Sequence, residues 1–394
     1  MRNRTGVLSL LCALAIITFL DRLCISVAGP RMQTDLHLSA VQWGWILGAF
    51  VLAYGIFEIP SGALGDRYGH PRMLVRIVLW WSLFTSLTGA ARGLTQLLAT
   101  RFLFGLGEAG AYPNMSGVIV RWFEPAGRAR AQSFIWAASR LGGALSPLLV
   151  VPLLRWIDWR STFAVLGVVG LLWVIVWRAC YRDAPLPRSA SLPHPWRRLL
   201  GHRQIWLIFV MYGCYSWGSW FFMSWFPVFL VRGCGFSEAE MGIYSSLPFL
   251  LGVGGNLTGG YVSDRLVTRY GLKFGRRSVA CASLAASSLL VAALAFTRNK
   301  AAIVVLSSCG FGVMDLMLPV SWAVCLDIAP RHSGTVTGIM NSAGQLGGFL
   351  CTVLFGYLVQ ISGSYHSPLW VISGMLLFSA FLFSKIDPTC ELES

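Results

Sequence analysis

Long apolar runs recur along the whole chain and restrict its fold more than any other feature. A helix needs about 20 apolar residues to cross the hydrocarbon core of a bilayer. Because lipid offers the backbone no hydrogen-bond partners, such runs must be helical. Twelve runs lie near residues 7–29, 43–65, 73–91, 95–118, 131–153, 160–180, 204–230, 241–262, 278–297, 301–325, 334–360 and 367–384. The sequence therefore predicts an all-α membrane protein with twelve transmembrane helices embedded in a lipid bilayer.

The basic residues indicate how these helices are oriented. The chain has 31 Lys and Arg residues against 16 Asp and Glu residues, and only 12% of its residues are charged. With both termini inside, most basic residues fall in the inside loops, as the positive-inside rule requires. Their spread over alternate loops argues against a nucleic-acid surface. We predict an N-in, C-in protein of a bacterial inner membrane, with no nucleic-acid partner and no metal site.

The chain also contains an internal repeat. The sequence Gly62-x-Leu64-Gly65-Asp66-Arg67 follows the second run, and Gly260-Tyr261-Val262-Ser263-Asp264-Arg265 follows the eighth. A segment rich in proline and arginine separates six runs from six. We predict an N-terminal six-helix bundle (1–181), a cytoplasmic linker (182–203) and a C-terminal six-helix bundle (204–394). Repeated halves typically hold a substrate near the membrane midplane and move by rocking.

The Gly62 to Gly69 stretch and its repeat in the second half resemble the cytoplasmic loop motif of the major facilitator superfamily. An aspartate at a helix end can pair with arginine and with the N-terminus of a neighbouring helix. Such a contact would hold one side of the protein closed. The resemblance implies a cytoplasmic gate formed by Asp66, Arg67, Asp264 and Arg265.

Seven charged residues lie inside the predicted spans. A charge at the bilayer centre costs at least about 2.5–3.5 kcal/mol, so these residues are functional candidates. One buried pair can be a structural brace, but seven charges at similar depth favour a polar cavity, because buried pairs rarely repay their desolvation. The set consists of Asp21, Arg22, Glu58, Arg101, Glu108, Arg140 and Asp315. Glu58 and Asp315 are assigned only as possible additional charged residues of the site.

A buried carboxylate beside an arginine can couple a proton to an anion. Arg101 and Glu108 lie seven residues apart, hence on one helix face, and Tyr112 continues the same stripe. When the carboxylate binds a proton, the arginine loses its internal counterion and can bind a substrate carboxylate through its guanidinium fork. When the proton leaves, the carboxylate competes for the arginine and expels the anion, provided that two conformations differ in affinity.

A second resemblance is narrower. Phe19-Leu20-Asp21-Arg22, the segment from Arg101 to Ala109, and Trp122-Phe123 are similar to the anion:cation symporter family. That family includes bacterial sugar-acid transporters and the animal sialic acid and glutamate carriers. The resemblance implies proton coupling by Asp21 and Glu108, an anion site or gate formed by Arg22 and Arg101, and a substrate contact from Tyr54. Glu58 and Arg140 depart from the family, in which amides are common at these positions.

The repeat aligns further candidates in the second half with the charged spans of the first. Trp322, Asn341 and Gln345 are predicted to bind substrate together with Arg140. A Glu58–Arg140 pair would be either a brace between spans two and five or the second half of a dianion site. We expect proton-coupled symport of a small organic anion by a monomer without a cofactor. Alternatives are antiport of an organic anion or sugar phosphate, and export of an amphipathic compound. No HExxH or GxSxG motif supports an enzyme.

Overall fold

A computed structural model describes residues 4–123, 125–182, 200–329 and 333–390 of the chain. All regular structure in these residues is helical, and the chain divides into two compact units, Met1–Ser191 and Leu192–Ser394. Most of the predicted linker, 182–203, lies outside the described residues, so its bounds stay a prediction.

The first unit follows the order of the predicted spans. Its helices are α1 (Arg4–Asp35), α2 (Ala40–Tyr68), α3 (His70–Ala90), α4 (Leu94–Glu108), α5 (Ala111–Trp122), α6 (Pro125–Trp156) and α7 (Trp159–Cys180). Helix α1 packs on α6, α2 on α4 and α3 on α7. Connections are short, as expected for neighbouring helices of a bundle.

The second unit repeats this arrangement. Its helices are α8 (Arg203–Gly233), α9 (Glu238–Tyr244), α10 (Leu247–Tyr270), α11 (Leu272–Phe296), α12 (Lys300–Asp315), α13 (Met317–Ile328), α14 (Ser333–Ser362) and α15 (Ser367–Lys385). Helix α8 packs on α14, α10 on α12 and α11 on α15, which are the counterparts of the contacts in the first unit. Two π-helical turns, Phe221–Trp225 and Phe229–Gly233, interrupt the α-helical pattern of α8.

Helix ends confirm the predicted repeat. Ser39 and Ser237 each begin a helix with a capping box, in which the serine and the third helical residue satisfy each other's backbone N–H groups. Gly69 ends α2 at φ 93°, and Gly271 ends α10 at φ 85°; each then starts the next helix. Glycine adopts this left-handed region without the Cβ clash of other residues. The same turns therefore occur at equivalent places in both units.

Within the described residues, ten helices are long and apolar enough to cross a membrane. Two predicted runs are missing from these ten. The run at 95–118 is broken at Ala109–Gly110 into α4 and α5, and each piece is too short. Helix α10, at the place of the run 241–262, has sufficient length but too many glycine and polar residues. The chain is thus a multi-pass membrane protein, while the count of twelve spans stays a prediction.

A similar irregularity occurs in the second unit, within the segment Lys300–Ile328 that is counted as one of the ten spans. Helix α4 ends at Glu108 and is followed by the 12-residue α5. Helix α12 ends at Asp315 and is followed by the 12-residue α13. Each unit therefore places an acidic residue at the break between the two segments of its fourth helix. The backbone at Ala109 and Gly110 keeps right-handed helical angles, with φ of −50° and −83°, so α5 with Tyr112 continues the direction of α4.

Helices α10 and α12 approach each other closely enough to exclude side chains. A Cβ added to Gly255 would lie 2.1 Å from the carbonyl oxygen of Gly312, whereas a Cβ on Gly254 would meet nothing within 4 Å. Small residues at helix interfaces permit this backbone contact in membranes. We expect Gly255→Ala to force the helices apart and lower the melting temperature strongly.

The neighbouring Gly254→Ala is the matched control for that change. Alanine is favoured over glycine in a helix by up to about 1 kcal/mol, so this variant should melt at or above the wild-type temperature. Thermal unfolding of the two purified variants in detergent checks the prediction. Equal melting temperatures would show that the contact between α10 and α12 does not limit stability.

Candidate functional site

The charged residues of α1 and α4 meet inside the first unit. The Arg22 side chain donates from Nη2 to Glu108 Oε1 at 2.5 Å and from Nε to the same oxygen at 3.1 Å. The side chains are 9% and 1% exposed, so the ion pair is held away from water. Glu108 Oε2 has no hydrogen-bond partner among the described residues. One carboxylate oxygen thus carries the whole contact, and the other is available to a proton.

Arg101 is held differently. Its side chain is 1% exposed, and its guanidinium carbon lies 4.4 Å from the ring centre of Phe104 and 5.0 Å from that of Phe50. Its Nε has no hydrogen-bond partner in the part of the chain that the structure describes. Cation–π contacts stabilise a guanidinium without using its N–H donors. Arg101 therefore keeps a buried donor that can bind an anion.

One aromatic ring, Phe50, links the two arginines. It lies 5.3 Å from the guanidinium carbon of Arg22 and 5.0 Å from that of Arg101. The Tyr54 ring, one turn further along α2, approaches Arg22 to 4.8 Å. The close approach of α2 and α4 makes this possible, because a Cβ on Gly105 would lie 2.4 Å from the Phe50 carbonyl oxygen. The glycine of α4 therefore sets the depth at which Phe50 enters the cluster.

Asp21 lies next to this cluster on α1. Its residue surface is 1% exposed, and neither carboxylate oxygen has a hydrogen-bond partner among the described residues. The charges of both Glu108 and Arg101 act on it. An unpartnered buried polar group is costly, and a buried charge more so. Binding a proton relieves that cost, so Asp21 is suited to exist as a neutral acid.

Helix α6 supports the cluster from its other side. Ser146 Oγ donates to the carbonyl oxygen of Leu20 at 3.2 Å and so fixes α1 one residue before Asp21. Tyr112 stacks on Trp136 with ring centres 4.9 Å apart, and its hydroxyl contacts Ser139 Oγ at 2.7 Å. These contacts hold α1, α5 and α6 in a fixed arrangement. The charged residues therefore project from helices that these contacts join.

The remaining predicted residues of the first unit stay predictions. Arg140 on α6 is 7% exposed, and Glu58 on α2 is half-buried. The described contacts give no distance between them, so the predicted pairing of these two residues is not tested.

The second unit has its own buried acid. Asp315, 0% exposed, accepts a hydrogen bond from the Tyr215 hydroxyl on α8 at 3.3 Å and one from Asn256 Nδ2 on α10 at 2.9 Å. Trp322 lies on α13, and Asn341 and Gln345 lie on α14, all half-buried. Gln345 Oε1 has no hydrogen-bond partner within the described ranges. Periodicity placed these residues in spans but gave no sign of the contact that joins Asp315 to Asn256.

The structure describes the side chains of three of the four predicted gate residues. The side chain of Asp66 lies outside what the structure describes, and Arg67 is exposed with its guanidinium carbon 5.3 Å from the Tyr68 ring. Asp264 pairs with Arg276 at 2.7 Å, and Arg265 donates to the Tyr261 hydroxyl at 3.1 Å.

Arg276 has a larger role than the motif indicated. It donates from Nη1 to Asp264 and to Ser263 Oγ, and from Nε to Asp327 at 3.0 Å. It thereby joins α10, α11 and α13. The sequence pattern gave no sign of the contact between Arg276 and Asp327, because the two residues lie 51 positions apart in the chain.

We expect Arg276→Ala to destabilise the second unit by about 1.5–3 kcal/mol, the usual value of a hydrogen bond to a charged group. The reason is that Asp327 loses a partly buried counterion. Arg265→Ala is the control, since Arg265 is exposed and bonds only one phenol among the described contacts. Comparing the two melting temperatures tests the assignment, and an equal loss for both variants would contradict it.

Helices of membrane length with buried carboxylates and arginines define a class of protein, an integral membrane transporter. The sequence matches the Major Facilitator Superfamily over residues 11–351 and again over 266–391. The chain belongs to that superfamily, as predicted, and is a transporter rather than an enzyme. The second match begins in the second unit, in agreement with the repeat.

Two curated relatives and one solved structure are similar to the whole chain. A probable sulfoacetate transporter of Cupriavidus necator is 33% identical, over 100% of this chain and 96% of its own length. A hexuronate transporter of Bacillus subtilis is 28% identical, over 96% of this chain and 93% of its own. The inward-facing, unoccupied structure of a bacterial homologue of the human lysosomal transporter Spinster has a TM-score of 0.82 at 18% identity, covering 97% of this chain and 96% of its own. That structural likeness shows the fold alone.

Proposed function

We propose that this protein is a proton-coupled symporter of a small organic anion. The observation that carries the proposal is the cluster of two buried carboxylates and two buried arginines on α1 and α4, in which Asp21 and one oxygen of Glu108 have no hydrogen-bond partner among the described residues. Coupling requires a group that gains a proton and an anion-binding group that responds to it.

The Arg22–Glu108 ion pair supplies that response. Protonation of Glu108 removes the negative charge that holds Arg22 and leaves both arginines able to bind an anion. The anion then enters with a proton, and the two together carry less negative charge across the membrane than the anion alone would. Loss of the proton restores the Arg22–Glu108 pair and weakens anion binding, so release follows. Asp21, close to both Arg101 and Glu108, is the second acid of this exchange.

The relatives support the substrate class. Sulfoacetate carries a sulfonate and a carboxylate, and a hexuronate carries one carboxylate; both are small organic anions that an arginine fork can bind. We therefore assign Arg22 and Arg101 to the anion, with Tyr54 as a polar neighbour. Trp322, Asn341 and Gln345 are assigned to the substrate from the repeat. The gate at Asp66, Arg67, Asp264 and Arg265, the twelve spans with N-in, C-in orientation, the inner-membrane location and the monomeric state belong to the same proposal.

Uptake by purified protein in liposomes tests the function. An inward proton gradient should drive accumulation of sulfoacetate, glucuronate or galactonate, and a protonophore should abolish it. Antiport predicts a different result, in which preloaded anion drives uptake without a proton gradient. If none of these acids enters under either condition, the substrate class is wrong.

Arg140 is the residue that would bind a second anionic group of the substrate. If it binds a second anionic group, Arg140→Gln should weaken sulfoacetate binding by about tenfold or more while leaving glycolate, a monoanion, nearly unchanged, as expected for loss of one charged contact. The double variant Glu58→Gln/Arg140→Gln should show the same selective loss. Titration calorimetry on the purified variants measures both affinities. Recovery of full sulfoacetate affinity in the double variant would make Glu58 and Arg140 a structural brace.

A further inference from the structure

Tyr112 is a buried tyrosine on α5, 7% exposed, beside the charged cluster of α1 and α4. Its ring stacks on Trp136 of α6 with the ring centres 4.9 Å apart, and it meets the Phe19 ring of α1 nearly at a right angle, 6.5 Å away. The Phe19 ring also lies 5.2 Å from the guanidinium carbon of Arg22. Tyr112 and Arg22 therefore share one aromatic neighbour, and the charge of Arg22 acts on the phenol.

Ser139 on α6 fixes the direction in which the Tyr112 hydroxyl donates. Tyr112 Oη and Ser139 Oγ lie 2.7 Å apart. A serine hydroxyl has a single hydrogen, and Ser139 donates it to the carbonyl oxygen of Ile135 at 2.9 Å. Tyr112 is therefore the donor toward Ser139. With its hydrogen engaged there, the phenol oxygen offers its lone pairs to another donor.

Glu108 precedes Tyr112 by four residues on the same helix face. Ala109 and Gly110 between them keep right-handed helical angles, so the two side chains lie one turn apart on one side. Residues at this spacing have Cβ atoms about 5–6 Å apart, and a long helical side chain leans back over the preceding turn. The charge of Glu108 also acts on Tyr112. The phenol oxygen is thus within reach of the Glu108 carboxyl group.

The two oxygens of Glu108 have different surroundings. Oε1 accepts both hydrogen bonds from Arg22, whereas Oε2 has no hydrogen-bond partner among the described residues. A proton therefore binds at Oε2, and the resulting O–H is a buried donor that is costly without an acceptor. Arginine has no acceptor atom, so neither Arg22 nor Arg101 can serve that donor.

Several other titratable groups act on Glu108 or on its direct neighbours. They are Asp21, Arg22 and Cys24 on α1, Tyr54 and Glu58 on α2, Arg101 on α4, Tyr112 on α5 and Arg140 on α6. Helix α3 packs Trp80 against Gly107, and its Arg72 and Arg76 are exposed. Tyr54 is the other phenol in this set, so a test must separate its oxygen from that of Tyr112.

We propose that Tyr112 is the hydrogen-bond acceptor that stabilises protonated Glu108. When a proton binds Oε2, Glu108 donates to Tyr112 Oη. Tyr112 donates to Ser139 Oγ, and Ser139 donates to the Ile135 carbonyl oxygen, so each hydrogen in the chain has an acceptor. When Oε2 is charged, it faces the lone pairs of the same phenol oxygen. The arrangement therefore favours the protonated carboxyl group over the carboxylate.

This inference rests on the proposed function, in which Glu108 is the acid that couples the proton to the anion. An acceptor for the protonated form lets Glu108 bind a proton at a higher pH than it could without one. The proton stays on Glu108 throughout. Tyr112 is thus a positioning residue, which sets the pH at which the coupling acid is loaded.

Infrared difference spectroscopy of the full-length protein in liposomes measures proton binding by Glu108 without any transport. A protonated carboxyl group has a C=O stretching band separate from that of a carboxylate, and the Glu108 band is the one that Glu108→Gln removes. Tyr112→Phe keeps the ring that stacks on Trp136 but removes the acceptor. We expect the pH at which the Glu108 band reaches half its height to fall by about 0.5 to 1 unit, as for loss of one hydrogen bond.

Ser139→Ala tests the direction of the chain with the phenol in place. Without Ser139 Oγ, the Tyr112 hydroxyl is released to donate to charged Glu108, so the half-height pH should fall here as well. Because the two residues act in one chain, the double variant should fall no further than the larger single change. Tyr68→Phe is the matched control, since it removes the hydroxyl of an exposed tyrosine in the same unit and should leave the band in place.

Three results would overturn the inference. One is a folded Tyr112→Phe protein whose Glu108 band titrates as in the wild-type protein. Another is a fall in half-height pH for Tyr54→Phe but not for Tyr112→Phe, which would assign the acceptor to α2. The third is a wild-type protein with no Glu108 band at any pH, which would also remove Glu108 from the proposed coupling. Bands that behave as expected in a protein that takes up anion without protons would contradict symport alone and leave the role of Tyr112 in place.

Discussion

Glu108→Gln is expected to abolish proton-driven accumulation while leaving exchange of anion across the membrane intact. Glutamine keeps the shape of the side chain but cannot gain or lose a proton. Arg22 then never regains the charged partner that it has at 2.5 Å in the wild-type protein. The anion site then stays in the form that binds anion, whichever side of the membrane it faces. A proton gradient therefore no longer biases the direction of transport.

The size of the imposed proton gradient determines how much accumulation Glu108→Gln should lose. One coupled proton and a pH difference of one unit correspond to about 1.4 kcal/mol, or about tenfold accumulation. The wild-type protein should reach at least that ratio of internal to external anion, and Glu108→Gln should stay near unity. Counterflow of labelled anion into preloaded liposomes measures exchange in the same preparation.

The matched control for this variant is Glu240→Gln, which removes an exposed carboxylate at a helix N-terminus. The pKa of Glu240 lies below its usual range because the backbone N–H and side chain of Ser237 bind the charged form. Its stabilising contribution is therefore present at neutral pH and falls as the pH drops through its lowered pKa. The control should accumulate anion like the wild-type protein at neutral pH. Accumulation by Glu108→Gln equal to that of the control would remove Glu108 from the coupling reaction.

Arg101→Lys is expected to bind anion nearly as poorly as Arg101→Ala. The guanidinium carbon lies 5.0 Å from the ring centre of Phe50 and 4.4 Å from that of Phe104, within the range of cation–π contacts. An ammonium group is a point charge that stacks less well and lacks the paired donors. Loss of a buried charged contact costs at least about 2 kcal/mol, so each variant should raise Kd by about 30-fold or more.

The comparison must separate affinity from folding. Arg92→Lys, at an exposed position, is the control for a change of arginine to lysine. Titration calorimetry with sulfoacetate and melting temperatures should be measured on all three variants. If Arg101→Lys retains the wild-type Kd while Arg101→Ala loses it, Arg101 contributes only a charge and no fork to the anion.

The sequence predicted the fold well because the bilayer limits the possibilities. Apolar runs of spanning length must be helices, and the repeated loop motif at Asp66 and Asp264 indicated two related halves. The capping boxes at Ser39 and Ser237 and the glycines at 69 and 271 confirm that repeat. The break between α4 and α5 was not predicted, because an apolar run has the same periodicity whether or not a helix is interrupted within it.

The partners within the site could not be predicted in the same way. Arg101 and Glu108 were placed on one helix face by their spacing, which suggested that they act on each other. The charges of Arg101 and Glu108 do act on each other, but the direct hydrogen bonds of Glu108 go to Arg22, 86 residues earlier in the chain. The pairing of Asp315 with Asn256, 59 residues apart, was equally hidden. Spacing fixes the face of one helix, but which helices meet depends on packing, here on Gly105, Gly252 and Gly255, where a side chain would collide with a neighbouring helix.

Movement of protons together with the anion is the most direct test of proton-coupled symport. Wild-type protein is reconstituted into liposomes containing a trapped pH indicator, and sulfoacetate or glucuronate is added outside without any imposed gradient. Proton-coupled symport predicts that the lumen becomes acidic as the anion enters, that Glu108→Gln shows no acidification, and that liposomes without protein show neither anion entry nor acidification. Entry of the anion into wild-type liposomes with no change in internal pH would contradict proton-coupled symport.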